Sequence, residues 1–267
     1  MSAPLASLAT TVRLQTSLGA IDIELFDSAA PLTVANFLNY VNSGAYNNSF
    51  IHRSVPKFII QGGGYAWASG LPHIPAGAPV VNEFSPSRSN LRGTVAMAKR
   101  DGDPNSATTE WFVNLADNSA NLDAQNGGFT VFGKVTASGM AVVDAIAALQ
   151  TRNAGGAFGN LPLTSIPASG TIQQENLVMV TSASALASDS DRLFNYLEKT
   201  YPQYLAPATG KGSATASGYY YRYYSGTNTY IATSGGTLYY YGPLFPGVIT
   251  PLGTVSDWFS TAARAGF

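Results

Sequence analysis

The sequence contains no cysteine and only two histidines, His52 and His73, among its 267 residues. The missing cysteines exclude disulfide bonds, thiolate metal sites and a cysteine nucleophile. The two histidines are isolated and have no neighbouring carboxylate or cysteine ligands in the sequence, which makes them a poor metal-binding set. We therefore expect structural imidazoles, no metal site and no other cofactor.

Charge is also scarce, because charged residues make up 11% of the chain and the 14 basic side chains nearly balance the 15 acidic ones. No run of lysine or arginine offers the positive surface that phosphate groups require, so we expect no nucleic-acid partner.

No apolar stretch approaches the ~20 residues that span a bilayer. Residues 1–10 lack the basic start of a signal peptide. Low charge and abundant Ser, Thr, Gly, Asn and Tyr favour a periplasmic or secreted protein whose signal has been removed, with the cytoplasm as the alternative.

Hydrophobic periodicity predicts a first domain, residues 1–185, that is mainly β. Alternation on both sides of Ser17-Leu18-Gly19 predicts a hairpin over residues 12–26. An apolar stripe predicts a helix over residues 31–41, with Pro31 suited to its first turn and Gly44 to its end. A second helix is predicted over residues 140–149. Further short strands are predicted over residues 50–55, 58–61, 94–98, 110–115, 130–135 and 177–181. This pattern is typical of an antiparallel barrel capped by helices.

The composition changes after about Ser182, because 12 of the 15 tyrosines fall between Tyr196 and Tyr241. We therefore predict a second, small α+β domain, residues 186–267, with its boundary near residues 185–188. Its predicted elements are a helix over residues 191–201, a three-stranded meander over 219–224, 229–233 and 237–241, and a helix over 255–264. The clustered tyrosines form either a small aromatic core or an adhesion or sugar-binding surface.

The segment richest in chemistry covers residues 50–64, FIHRSVPKFIIQGGG. Arg53 precedes an apolar cluster and Gln61, and a guanidinium near apolar groups needs a partner that offsets its lost hydration. Arg53 therefore indicates a ligand site. Taken alone, the residue is better explained as a surface or salt-bridged arginine, since single-residue signals are weak.

The same segment resembles the cyclophilin signature, in which Phe-x-His-Arg precedes Phe-x-x-Gln-Gly-Gly at this spacing. Residues 92–99 (RGTVAMAK), 105–114 (NSATTEWFVN) and 129–135 (FTVFGKV) resemble three further strands of that family. The resemblance runs from about residue 12 to residue 182, and residues 112–118 favour the bacterial branch. It implies an eight-stranded antiparallel barrel capped by two helices. It also implies a peptidyl-prolyl cis-trans isomerase, or rotamase, that acts on Xaa-Pro bonds of client proteins and proline-containing peptides without a cofactor.

The resemblance also implies the site residues. Arg53 matches the catalytic arginine that stabilises the twisted amide, and Gln61 matches the side chain that positions the substrate backbone. The implied wall of the proline pocket consists of Phe58, Ile59, Phe112, Leu122 and Phe129. The adjoining groove is implied to consist of Ala98, Lys99 and Glu110. From the residues alone, Phe112 and Leu122 are better explained as core, and Trp111 is assigned to the core.

Four positions depart from the family pattern. Ile59 stands where many relatives have Met, a swap of similar volume that preserves a pocket. Glu110 replaces a Gln, so an acceptor-only carboxylate, able to pair with Arg53, stands where an amide also donates. Phe129 replaces the His of eukaryotic members, and Asn121 falls where they carry the Trp associated with cyclosporin, which predicts weak cyclosporin binding. Glu110 and Asn121 leave open a module that holds proline-containing segments without isomerising them.

Overall fold

The computed structural model describes residues 9–168, 170–186, 189–206 and 214–265. The chain divides into two compact units, with the division between residues 186 and 187. Residues 1–8 lie outside the described residues, and they include most of the segment 1–10 that lacks the basic start of a signal peptide. Residues 187 and 188 of the predicted domain boundary also lie outside them. Within the described ranges, no helix is both long enough and apolar enough to cross a membrane.

The first unit begins with the predicted hairpin, formed by β1 (Thr11–Thr16) and β2 (Gly19–Leu25), and continues with α1 (Pro31–Asn42). The following elements are β3 (Ser49–Phe50), β4 (Arg53–Val55), β5 (Ile59–Gly62), β6 (Thr94–Met97), β7 (Trp111–Asn114), α2 (Ser119–Leu122), β8 (Val131–Val135), α3 (Ala137–Ala147), β9 (Thr151–Arg152), β10 (Leu161–Pro162) and β11 (Met179–Ala185). Helix α3 begins earlier than predicted, because the Thr136 side chain accepts a hydrogen bond from the Gly139 N–H (3.2 Å) and caps the helix.

Nine of these strands form one antiparallel sheet, in the order β3-β11-β1-β2-β8-β6-β7-β5-β4. Its two edge strands are separated in the sequence only by Ile51 and His52, so the sheet curls back towards itself. The Ile51 N–H donates to Val178 O (3.0 Å) beside one edge, and the His52 N–H donates to Gln61 O (3.1 Å) beside the other. The mainly β, antiparallel, helix-capped fold is confirmed. The sheet has nine strands instead of eight, because the strand predicted over residues 50–55 is split at this junction.

Apolar side chains on the two faces of the sheet form separate clusters. Neighbouring residues of a strand face opposite ways, so Ile60 and Val113 join the main core, together with Phe37 of α1 and Val143 of α3. The second cluster uses the alternate positions of β5–β8 together with α2. Its buried members are Ile59, Ala96, Phe112, Leu122 and Val131, and its partly buried members are Phe26, Phe58, Ala98 and Phe129.

The described residues of the second unit form five strands, two more than predicted. Its elements are α4 (Asp189–Thr200), β12 (Ala214–Ala216), β13 (Tyr219–Tyr224), β14 (Thr229–Ser234), β15 (Thr237–Tyr241), β16 (Thr250–Thr254) and α5 (Val255–Arg264). The strands form an antiparallel sheet in sequence order. The unpredicted strands are the two edges. Strand β12 consists of small residues and β16 contains Pro251 and Gly253, so neither shows the alternation that reveals a strand.

A buried arginine joins α4 to this sheet. Arg222 of β13 is 6% exposed, and its Nη1 donates to Asn195 Oδ1 and Glu198 Oε1, both at 2.7 Å. Its Nη2 donates to Asp191 Oδ1 at 2.9 Å, and the Tyr224 hydroxyl donates to Glu198 Oε1 at 2.6 Å. These charge-assisted bonds fix which face of the sheet the helix covers. The apolar core lies on that face and includes Leu193, Phe194, Leu197, Tyr224, Ile231 and Leu238.

Candidate active site

Several residues marked by the sequence lie in one row across neighbouring strands of the first unit. Arg53 of β4 pairs with Gln61 of β5, and Gln61 pairs with Phe112 of β7. Phe112 pairs in turn with Ala96 of β6. Directly paired residues project to the same face of a sheet. The row therefore passes from a cation through an amide to an apolar surface within four strands.

A series of polar contacts begins at Arg53. Arg53 Nη1 donates to Gln61 Oε1 (3.2 Å), and Gln61 Nε2 donates to Glu110 Oε2 (2.7 Å). Buried His52 places its Nε2 3.4 Å from the same carboxylate oxygen. Because a carboxylate accepts hydrogen bonds and does not donate them, Glu110 fixes the amide of Gln61 with its nitrogen towards Glu110 and its oxygen towards Arg53.

Glu110 is held in its charged form by these neighbours. Burial raises the pKa of Glu110, but hydrogen bonds from His52 and Gln61, together with the electrostatic influence of His52 and His73, lower it by more. The net result is a pKa below the ordinary value of 4.5. Glu110 therefore remains a hydrogen-bond acceptor throughout the neutral and mildly acidic range.

The glycine run after Gln61 allows this close packing. Gly63 adopts φ +76°, and a Cβ at that position would lie 2.5 Å from the Thr109 carbonyl oxygen. A Cβ on Gly64 would lie 3.0 Å from both the Glu110 carboxylate and the His52 ring. The residues immediately after the strand must therefore lack side chains for Glu110 and His52 to meet beside Gln61.

The apolar cluster next to the row contains all five residues predicted for the pocket wall. Ile59, Phe112 and Leu122 are each at most 4% exposed, so they form its base. Phe58 and Phe129 are partly buried and form its rim, and the Phe112 and Phe129 rings meet edge to face with centroids 5.8 Å apart. The pocket and core interpretations of Phe112 and Leu122 are thus compatible, because the cluster is distinct from the main core.

The predicted groove residues are occupied by contacts within the chain. Lys99 Nζ donates to the carbonyl oxygens of Asn126 (2.7 Å) and Gly128 (2.6 Å), and it lies 4.7 Å from the centre of the Phe129 ring. Burial lowers the pKa of Lys99. The Ala98 N–H donates to Glu110 O (2.9 Å). Lys99 therefore holds the loop that carries Phe129, and the Ala98 N–H is already used.

The partners of Glu110 differ from those that the sequence suggested. Its carboxylate contacts Gln61 and His52, whereas the sequence suggested a pairing with Arg53. The contact with His52 was not predicted, because it depends on strand register and on the glycine run; the only available signal was that His52 directly precedes Arg53. Asn121 is exposed on α2, where its side-chain oxygen accepts a hydrogen bond from Gln125.

Comparison with known proteins agrees with this geometry. Residues 11–166 match the family described as cyclophilin type peptidyl-prolyl cis-trans isomerase/CLD. The chain belongs to the cyclophilin family. It is 45% identical over 159 residues to peptidyl-prolyl cis-trans isomerase A of Dickeya dadantii, which covers 59% of this chain and 80% of that protein. It is 40% identical over 148 residues to peptidyl-prolyl cis-trans isomerase B of Escherichia coli, which covers 54% of this chain and 88% of that protein.

A solved cyclophilin shares the fold. The crystal structure of a Cryptosporidium parvum cyclophilin type peptidyl-prolyl cis-trans isomerase, determined in the presence of the dipeptide Ala-Pro, matches with a TM-score of 0.51 at 22% identity. The match covers 67% of this chain and 99% of that one. The predicted cyclophilin family and peptidyl-prolyl cis-trans isomerase activity are therefore confirmed for this chain.

Proposed function

We propose that this cyclophilin isomerises Xaa-Pro bonds of unfolded or client proteins through Arg53, which donates a hydrogen bond to the proline nitrogen as the peptide bond twists. Rotation about a peptide bond faces a barrier of ~18–20 kcal/mol, because resonance gives the C–N bond double-bond character. In the twisted state that resonance is lost and the nitrogen becomes able to accept a hydrogen bond. A donor placed at this nitrogen stabilises the transition state more than the ground state, as catalysis requires.

The contacts of Arg53 support this role. Its guanidinium is half-buried, and Nη1 is held by Gln61 Oε1, while the guanidinium has further N–H groups. The cluster built on Ile59, Phe112 and Leu122 lies on the same face of the sheet. An apolar wall beside a fixed cation is suited to hold the proline ring and to place the adjoining Xaa-Pro amide next to the guanidinium.

Arg53 does not account for the whole rate enhancement. A charge-assisted hydrogen bond contributes about 1.5–3 kcal/mol net, and each tenfold in rate corresponds to ~1.4 kcal/mol. Arg53 therefore supplies about a hundredfold. The remainder is assigned to removal of the amide from water by the apolar cluster and to alignment of the substrate backbone by Gln61. Lys99 and Glu110 act indirectly in this scheme, through the Phe129 loop and through Gln61.

The test replaces Arg53 with Ala and with Lys, and uses Arg100→Ala as the matched control, because the Arg100 side chain is 77% exposed. We expect Arg53→Ala to lower kcat about a hundredfold while the Kd for a proline peptide rises less than about fivefold. Arg53→Lys keeps the charge but loses the forked donor, and it should recover only part of the rate. Equal losses of kcat/KM and peptide affinity would contradict the assigned role.

We also propose that cyclosporin binds weakly, because Asn121 occupies the position that the family resemblance assigns to the Trp associated with cyclosporin. Cyclosporin should inhibit the Asn121→Trp variant at a lower concentration than it inhibits the parent chain. An unchanged inhibition constant would contradict this proposal. A periplasmic or secreted location is supported by the low charge and by the abundance of Ser, Thr, Gly, Asn and Tyr. Fractionation of producing cells tests it, and recovery with cytoplasmic markers would contradict it.

A further inference from the structure

One face of the second unit's sheet carries a surface of tyrosine rings. Arg222, Tyr224, Ile231 and Leu238 face the helices, so the alternate positions of β13, β14 and β15 face the other way. That opposite face carries Tyr219, Tyr221, Tyr223, Tyr230, Tyr239 and Tyr241. All six are half-buried or exposed, and Tyr223 and Tyr241 are each 40% exposed. The tyrosines are therefore not only a small aromatic core.

The rings enclose a hollow of about 360 Å³, here called the tyrosine hollow, lined by tyrosine, alanine and isoleucine side chains. Ala232 of β14 pairs with Tyr221 on one side and with Tyr239 on the other, so a methyl group lies between two rings. Tyr230 closes one end by contacting Tyr221, with ring centroids 5.8 Å apart. At the other end Tyr219 packs edge to face on Tyr239 at 5.3 Å. The hollow therefore has a methyl group between aromatic side chains at its centre.

The lining chemistry selects the ligand. Phenol hydroxyls are the side-chain polar groups around the hollow, and the ring faces are apolar. A sugar presents many hydroxyls, whereas the described residues that line the hollow include no carboxylate or amide side chain to bind them. A proline-rich segment presents apolar rings and carbonyl oxygens, and its prolines have no N–H groups that need acceptors. An uncharged lining with phenol donors is therefore matched to a proline-rich segment.

The spacing of the strands that carry the rings also fits such a segment. Neighbouring strands are ~4.8 Å apart, so Tyr221 and Tyr239, two strands apart, are separated by about 9.6 Å at the backbone. A polyproline II helix has three residues per turn and rises ~3.1 Å per residue, which gives a repeat of about 9.3 Å. Ligand residues one turn apart are therefore spaced like the backbone positions of Tyr221 and Tyr239. Aromatic-lined grooves bind proline-rich segments in other proteins.

We propose that the tyrosine hollow binds proline-rich segments in the polyproline II conformation. It is a site separate from the row of Arg53, Gln61 and Phe112 in the first unit. The ligand shares its chemistry with the isomerase substrate, but binding needs no twisted amide. The site does not depend on the role assigned to Arg53, and it gives the second unit a function in holding extended, proline-containing chains.

The test titrates the full chain with an oligoproline peptide by calorimetry. Tyr221→Ala should weaken oligoproline binding about tenfold or more, because a central aromatic side chain at an interface carries much of the affinity. Tyr221→Phe keeps the ring and loses only a hydroxyl, so it should weaken binding less and guards against a folding defect. Tyr204→Ala is the control for loss of a tyrosine ring elsewhere in the same unit, because Tyr204 is 40% exposed and does not line the hollow.

Two further measurements separate this site from the isomerase. Turnover of a short Xaa-Pro peptide should be unchanged in Tyr221→Ala, and Phe112→Ala should leave oligoproline affinity within about twofold. Loss of oligoproline binding in Phe112→Ala but not in Tyr221→Ala would overturn the proposal, because the peptide would then bind at the isomerase. It would also be overturned if Tyr221→Ala abolished binding of chitin or cellulose oligomers and left oligoproline affinity unchanged.

Discussion

Replacement of Glu110 by Gln tests how the site is oriented. In the parent chain the carboxylate accepts from Gln61 Nε2 at 2.7 Å and lies 3.4 Å from His52 Nε2, so the oxygen of Gln61 faces Arg53. An amide at position 110 both donates and accepts. Gln61 can then rotate its amide and present its NH₂ group to the guanidinium, which places donor against donor. The substitution keeps the volume of the side chain but removes its negative charge and its acceptor-only character.

The expected loss follows from these contacts. A hydrogen bond to a charged group contributes about 1.5–3 kcal/mol and a neutral one about 0.5–1.5 kcal/mol. The difference of about 1 kcal/mol corresponds to about a fivefold fall in the population of the aligned site. We expect kcat to fall about fivefold at neutral pH with little change in KM, because the apolar cluster that holds the proline ring is untouched.

The pH dependence gives an independent check. Because the pKa of folded Glu110 lies below 4.5, the carboxylate's contribution is fully present above that value and is lost as the pH falls through the lowered pKa. The parent chain should therefore lose this contribution only below about pH 4.5. Glu110→Gln has no such group, so the ratio of the parent rate to the variant rate should shrink towards one in acid.

The assay is isomerisation of a short Xaa-Pro peptide, followed without a coupling protease across the acidic range. Glu175→Gln serves as the control, because Glu175 is exposed in the same unit. An unchanged kcat in Glu110→Gln at neutral pH would refute the orienting role. A rate ratio that stays constant through the acidic range would refute the pH argument.

Two further predictions concern stability. Gly63→Ala forces a Cβ to 2.5 Å from Thr109 O at φ +76°, and urea denaturation should show a loss of about 2 kcal/mol or more. Gly102→Ala, also at positive φ but in open space, should cost only about 1 kcal/mol, and equal losses would contradict the steric argument. Arg222→Leu removes the guanidinium that pairs Asp191 and Glu198, and should destabilise the second unit by about 3–5 kcal/mol, measured by the near-ultraviolet signal of its tyrosines. Activity on a short peptide should persist in Arg222→Leu, and an unchanged melt would contradict the prediction.

Much of the first unit follows from local patterns in the sequence. The alternation around Ser17-Leu18-Gly19 fixes the hairpin, and Pro31 marks the first turn of α1. Period-two alternation in β5 is enough to assign Ile59 and Gln61 to one face of the strand and Ile60 to the other. The row that joins Arg53, Gln61 and Phe112 then requires only the register of three strands.

Two features could not be predicted from local patterns, because one depends on the register of distant strands and the other on the helix that packs on the sheet. The contact between His52 and Glu110 joins residues far apart in the sequence, and it needs the left-handed backbone at Gly63. In the second unit, residues 219–224 read YYYRYY, and such a run has no apolar-polar alternation that assigns its faces. The faces are set by α4, whose Asp191 and Glu198 pair with Arg222.

The way the first unit's sheet ends has a consequence for the proposed action on unfolded chains. Both edge strands are covered along their outer sides: the Phe50 N–H donates to Tyr65 O (3.3 Å), and the Ser54 N–H donates to Asn160 O (2.8 Å). Exposed edges recruit further strands and so template aggregation. An extended segment is therefore not offered a free strand edge at these N–H groups, and the contacts proposed for a substrate, at Arg53, Gln61 and the apolar cluster, are made by side chains of this chain. Side-chain contacts do not add a strand to the sheet, so a bound peptide leaves without breaking a ladder of main-chain hydrogen bonds.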